Sequence, residues 1–98
     1  MNKLIIWGAG GHGKVVLEIA RATGLFCEIV FVDDSYLAQG GCFCDCELLP
    51  SSEGFEALKA RGHSCFVVAI GNHCVRERCF QEGIDRGFAR NSSVRTGG

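Results

Sequence analysis

The sequence has no excess of charge of either sign. Ten lysines and arginines face eleven aspartates and glutamates, for a formal net charge of −1, and they are scattered along the chain. That excludes the basic footprint of a nucleic-acid binder and the polybasic patch of a membrane-surface protein. Long apolar runs are also missing: no segment approaches a membrane span. The short run after Met1-Asn2-Lys3 is ended by glycine and His12 too early for a signal peptide, so a cytoplasmic protein is expected. Proline occurs once, as Pro50, where it closes a strand-like segment. An even cysteine count is missing too, since there are seven. A disulfide framework favours an even number and a secreted chain. Reduced thiols are therefore expected, most of them acting as small buried hydrophobes.

What the sequence does hold is an ordinary globular composition, 47% hydrophobic and 21% charged over 98 residues, enough for one small domain. We expect that domain over residues 1–90, with a flexible tail over 91–98. The organising stretch runs from Lys3 to Val16. A short apolar run, Leu4 to Trp7, reads as a buried strand. A glycine cluster follows, and a helical pattern then begins near Gly11 and runs to Thr23, with Val15, Val16, Ile19 and Ala20 as its apolar face. Strand, glycine turn and helix point free backbone N–H groups at an anion, usually a phosphate. The spacing Gly8-x-Gly10-x-x-Gly13 matches the dinucleotide fingerprint in the context that the fingerprint requires. Glycines that serve tight packing alone are the alternative.

Cys27 to Val32 reads as a second buried strand, which makes a βαβ unit with parallel strands. Asp33 falls twenty residues after Gly13, where an acidic side chain can accept hydrogen bonds from a ribose hydroxyl. Asp33 and Asp34 could instead cap or solvate a loop. Tyr36 to Gly41 is a turn-rich link. Residues 43–48 read as one edge strand, in which Cys42, Cys44 and Cys46 share a face. Their spacing lacks the two-residue gap of common zinc sites, so a metal role is not expected. Pro50-Ser51-Ser52 ends that strand and offers a helix N-cap, and a short helix is expected over 54–61 with Phe55 and Leu58 inward. Cys65 to Ile70 is the strongest strand signal, the continuous apolar run of a central parallel strand. It breaks at Gly71-Asn72, and Asn72 can cap a helix over 73–86 with Val75, Cys79 and Ile84 inward. Gly83 weakens that helix by about 1 kcal/mol relative to alanine, and a last short strand is expected near 88–91. Three helices and four or five mainly parallel strands make a small α/β three-layer domain of Rossmann-like type. Ligands bind such sheets beyond the C-terminal strand ends.

Of the histidines, His12 sits at a helix start that disfavours a cation, so its neutral imidazole is expected to bond a ligand or the local backbone. His63 follows a helix-ending glycine and reads as solvated. His73 beside Cys74 is not a dyad, because neighbouring residues on a helix diverge.

The blocks Gly8-Ala9-Gly10-Gly11-His12-Gly13-Lys14-Val15-Val16, Val32-Asp33-Asp34 and Val67-Val68-Ala69-Ile70-Gly71-Asn72, with Arg76, resemble the N-terminal domain of bacterial sugar O-/N-acyltransferases. These are enzymes of the sialic acid O-acetyltransferase and UDP-bacillosamine N-acetyltransferase type. The resemblance implies a Rossmann-like domain that binds the nucleotide-sugar acceptor. It places Gly8, Gly10, Gly11, His12 and Gly13 at the ligand, Asp33 and Asp34 at its nucleoside side, and Gly71, Asn72 and Arg76 at the far wall. Members of that family continue into a left-handed β-helix of hexapeptide repeats that carries the catalytic histidine and the acetyl-CoA site. No such repeat occurs here. The expectation is therefore a UDP-sugar-binding domain without acetyl transfer of its own and without a cofactor, acetyl-CoA needing the β-helix. A β-helix acetyltransferase partner and a homodimer are the expected protein contacts. Two alternatives stand beside this: an NAD-type dinucleotide module, and a non-catalytic assembly partner with a degenerate pocket.

Overall fold

The computed structural model describes residues 2–34 and 41–91. The expected link at 36–40 and almost all of the expected tail lie outside that range. The elements in order are β1 (Asn2–Trp7), α1 (Gly11–Thr23), β2 (Phe26–Val32), β3 (Cys42–Phe43), β4 (Cys46–Leu49), α2 (Ser51–Ala60), β5 (Cys65–Val68), α3 (His73–Asp85) and β6 (Ala89–Arg90). One six-stranded sheet results, in the order β3-β4-β2-β1-β5-β6. Every pairing is parallel except β3 with β4.

Strand alternation divides the core into two layers. Leu4 and Ile6 of β1 and Phe31 of β2 face α1, where Val16, Leu17 and Ala20 meet them. Ile5, Trp7, Val30 and Val32 face the other way, onto Phe55 and Leu58 of α2 and Cys79 and Phe80 of α3. Helices therefore cover both faces, as a parallel sheet requires. β1 lies between β2 and β5. After β1 the chain steps outward through β2 to the β3–β4 edge, then crosses back to β5. The reversal point of the sheet is thus between β1 and β5, the place where such folds open a crevice for a ligand.

Several expectations need correction. The sheet has six strands, not four or five, because residues 42–49 form a hairpin and not one strand. Cys44 and Asp45 both adopt positive φ, 50° and 65°, which is what the two central residues of a type I′ turn do. The turn also separates the three thiols: Cys42 is exposed, Cys44 half-buried and Cys46 buried. Of the seven cysteines only Cys46 and Cys65 are buried, so most are not core residues. Burial pushes both of those thiols up from their ordinary pKa.

The inner stripe of α1 is Gly13, Val16, Leu17 and Ala20, an i, i+3, i+4, i+7 set. Val15 is off that stripe and 56% exposed. In α3, Val75 and Ile84 are exposed as well. Gly83 is the one residue of that helix that is fully buried, because a Cβ there would lie against the Phe66 ring.

His63 is not solvated. It is 2% exposed at the N-terminal end of the sheet, its Nε2 2.6 Å from Glu28 Oε2. Since a carboxylate only accepts, Nε2 carries the proton. Nδ1 is then a buried acceptor without a partner among the described residues. Burial lowers the imidazole pKa, against the pull of Glu28 in the other direction. Glu28 is itself held below the usual carboxylate range, chiefly by the hydrogen bond from His63, with Arg61 adding to it.

Candidate functional site

The site is built where β1, β2 and β5 end side by side. Gly8 N donates to Val32 O at 2.9 Å and Ala69 N donates to Trp7 O at 2.8 Å, so the three strand ends are tied together just before their loops diverge. Gly8 has φ +120°, and a Cβ there would come 2.5 Å from the Ala69 carbonyl oxygen. No side chain fits that position or that conformation. Gly13 closes the turn from the other side: a Cβ would lie against the Gly8 carbonyl oxygen and 3.1 Å from the Phe31 ring. These two glycines are therefore required by packing. Gly11 is different, since a Cβ there meets nothing within 4 Å.

The turn delivers the chain into α1 with Gly10 as N-cap, and no side chain caps the helix. Its first turn also contains no acidic residue. Among the described residues no side chain therefore caps the first backbone N–H groups of α1, an arrangement that can receive a phosphate. His12 lies exposed in this first turn.

At the end of β2 the two aspartates go different ways. Asp33 turns toward the glycine turn, where its Oδ2 accepts from Ala9 N at 2.7 Å. Asp34 turns toward α2. Ser51 N donates to its Oδ1 at 2.9 Å and Ser51 Oγ to its Oδ2 at 2.7 Å. This replaces the cap that Pro50 cannot supply at the head of α2. Beyond β5, Gly71 is exposed with open space about it. Asn72 caps α3 by accepting from Val75 N at 3.0 Å. The half-buried Arg76 places Nη2 3.2 Å from His73 Nδ1.

The structure therefore brings together the glycine turn, Asp33 and the start of the Gly71–Asn72 loop. It places Arg76 one helical turn further out and commits Asp34 to α2. Sequence reasoning missed the Ala9 amide, and it expected an N-cap from Pro50-Ser51-Ser52 and a helix from Gly54, whereas α2 already begins at Ser51 with Pro50 as N-cap and no side-chain cap. Ser51 did leave a signal: a helix beginning right after proline has no local side-chain cap, so one must come from elsewhere. The hollow of about 230 Å³ lined by Arg21, Phe26, Cys27, Glu28, Ile29 and Cys46 lies at the opposite end of β2 and is separate from this site. Among the described residues no group of three or more histidine, cysteine or acidic side chains is placed to hold a metal ion. No described helix is long and apolar enough to cross a membrane.

The PglD N-terminal domain family matches residues 3–82. Among solved structures, the chain is similar to the acetyltransferase domain of PglB from Neisseria gonorrhoeae FA1090, determined in complex with acetyl coenzyme A. Identity is 35% and the TM-score 0.74, over 90% of this chain and 42% of that one. It is also similar to a mutant perosamine N-acetyltransferase from Caulobacter crescentus in complex with CoA and GDP-perosamine. There the identity is 28% and the TM-score 0.77, over 91% of this chain and 40% of that one. The chain spans about two fifths of the length of either structure.

Proposed function

The chain belongs to the PglD N-terminal domain family, and from that membership we propose that it binds the nucleotide-sugar acceptor of a sugar acetyltransferase. The observation that carries the reading is the uncapped start of α1 beside an aspartate already turned to the glycine turn. A diphosphate fits the first need, taking the N–H groups of residues 11–13 and the helix dipole. A ribose hydroxyl fits the second, donating to the Asp33 carboxylate that already accepts from Ala9 N. Because the Ala9 N–H faces this carboxylate, its charge is partly balanced next to a second anion. His12, exposed at the helix start, stands where its imidazole can donate to a ligand oxygen. Gly71, Asn72 and Arg76 supply the far wall, with the Arg76 guanidinium as the cation on that side.

This chain's work in the reaction is binding and orientation. Acetyl transfer and acetyl coenzyme A belong to a β-helix domain, which in this reading acts on the sugar that the present domain presents. The neighbouring enzyme from C. crescentus holds GDP-perosamine together with CoA, which supports a nucleotide-sugar ligand and leaves the base open between uracil and guanine.

Thermal shift with UDP, UDP-N-acetylglucosamine, GDP, NAD and acetyl coenzyme A tests the reading. A rise with the nucleoside diphosphates or their sugars alone supports it. A rise confined to NAD favours a dinucleotide module instead.

A further inference from the structure

We propose that Ser51 is a positioning residue for this site, acting through Asp34 to hold Asp33 against the glycine turn. The inference rests on the nucleotide-sugar reading given above and deepens it.

β2 ends at Val32, so Asp33 and Asp34 lie outside the β2 strand itself. Hydrogen bonds to two neighbouring segments locate them. Asp33 Oδ2 accepts from Ala9 N at 2.7 Å. Asp33 N donates to Leu49 O at 3.1 Å. The Asp34 carboxylate takes both the N–H and the hydroxyl of Ser51. The Leu49 and Ser51 ties both run to the junction between β4 and α2, and of these the Ser51 pair is charge-assisted. α2 is firmly seated in turn: Gly54 packs with Leu49 and Val32 close to the position of its missing Cβ, and Phe55 and Leu58 are buried. The start of α2 is thus a rigid support from which Ser51 fixes the backbone that carries Asp33.

A paired contact of this kind also has a division of labour. Two consecutive carboxylates beside a phosphate site would repel the ligand if both faced it. Here the first faces the glycine turn, and the second is drawn away to a helix N-terminus, where a negative charge is favourable. Removing the Ser51 hydroxyl loosens that separation, and Asp33 loses its fixed approach to Ala9.

Calorimetric titration of the whole chain with UDP-N-acetylglucosamine and with GDP-mannose, well below the unfolding transition, tests this. The proteins are the wild type, Ser51→Ala, Ser51→Thr, Asp34→Ala and the Asp34→Ala/Ser51→Ala double variant. Ser51→Ala and Asp34→Ala should each weaken binding about three- to tenfold, less than the full cost of a lost hydrogen bond to a charged group because the effect reaches the ligand through Asp33. The double variant should bind like Asp34→Ala alone, because the two residues act as one unit. Ser51→Thr keeps the hydroxyl and should keep the affinity. Single variants whose melting temperature falls while affinity holds would reduce Ser51 to a helix cap and overturn the inference, as would costs that add in the double variant. A wild type that binds neither probe overturns the nucleotide-sugar reading and this inference together.

Discussion

At the scale of single residues, glycines that look alike in the sequence separate by what surrounds them. Gly8 is locked by its φ of +120° and by the Ala69 carbonyl, so Gly8→Ala should destabilise the fold by about 1–3 kcal/mol, read as a lower urea midpoint. Gly11 has open space where a Cβ would go. Gly11→Ala should therefore leave the urea midpoint essentially unchanged and abolish nucleotide-sugar binding, because only the ligand approaches that closely. A Gly11→Ala protein that binds like the wild type would place the ligand elsewhere. The glycine turn was legible from spacing alone, but the packing that fixes Gly8 and Gly13 was not, since it depends on the Ala69 carbonyl and the Phe31 ring, which lie far off in sequence. His63 shows the same limit. Its neighbours predicted a solvated loop, yet it is buried against Glu28, a partner that sequence separation hides. Its folded pKa is lowered by burial, so the unfolded chain takes up the proton first. The stability it contributes is fully present above about pH 6.5, the ordinary histidine value, and is lost as pH falls through its folded pKa. Denaturant melts from pH 7.5 downward should show this loss, and His63→Gln, which does not titrate there, should flatten it. A wild-type and variant gap that stays constant with pH would refute the buried-neutral account.

At the scale of elements, propensity and packing disagree in instructive places. Helix propensity says that Gly83→Ala in α3 should gain about 1 kcal/mol. The Phe66 ring occupies the space a Cβ would need, so overpacking should instead cost about 1–3 kcal/mol. A calorimetric melt decides the sign, and a raised midpoint would show that α3 can slide off the sheet. The hairpin at 42–49 is a second case. Alternating cysteines read as one strand, but Cys44 and Asp45 take the positive φ of a tight turn, a conformation for which asparagine and glycine are better suited. Nothing in the alternation revealed it, because period-two patterning runs unbroken through a two-residue turn. The long parallel strands and the three helices were legible because their signals are local: a continuous apolar run for β5, Gly24 as a left-handed cap after α1, and Asn72 as a side-chain cap before α3. The inner faces of α1 and α3 were less so. One residue of rotation, which the sheet imposes, moves Val15, Val75 and Ile84 into solvent.

At the scale of the whole molecule, the strand order places the reversal of the sheet between β1 and β5, and the glycine turn and the Gly71–Asn72 loop flank that point. Topology therefore assembles the site from three segments that no single motif contains. The family match accounts for residues 3–82, while the similar solved structures extend well beyond the part this chain covers. That this domain binds a nucleotide-sugar acceptor is the proposal to be tested, and one measurement tests it most directly. Purified chain is melted with UDP, UDP-N-acetylglucosamine, GDP, NAD and acetyl coenzyme A in turn, each in large excess. A ligand at about 100 times its dissociation constant stabilises by about 2.7 kcal/mol, which for a domain of this size is a rise of about ten degrees or more. The account predicts that rise with a nucleoside diphosphate or its sugar, its absence with NAD and acetyl coenzyme A, and its loss in Gly11→Ala. A melting temperature indifferent to every nucleoside diphosphate, or raised by NAD alone, would contradict it.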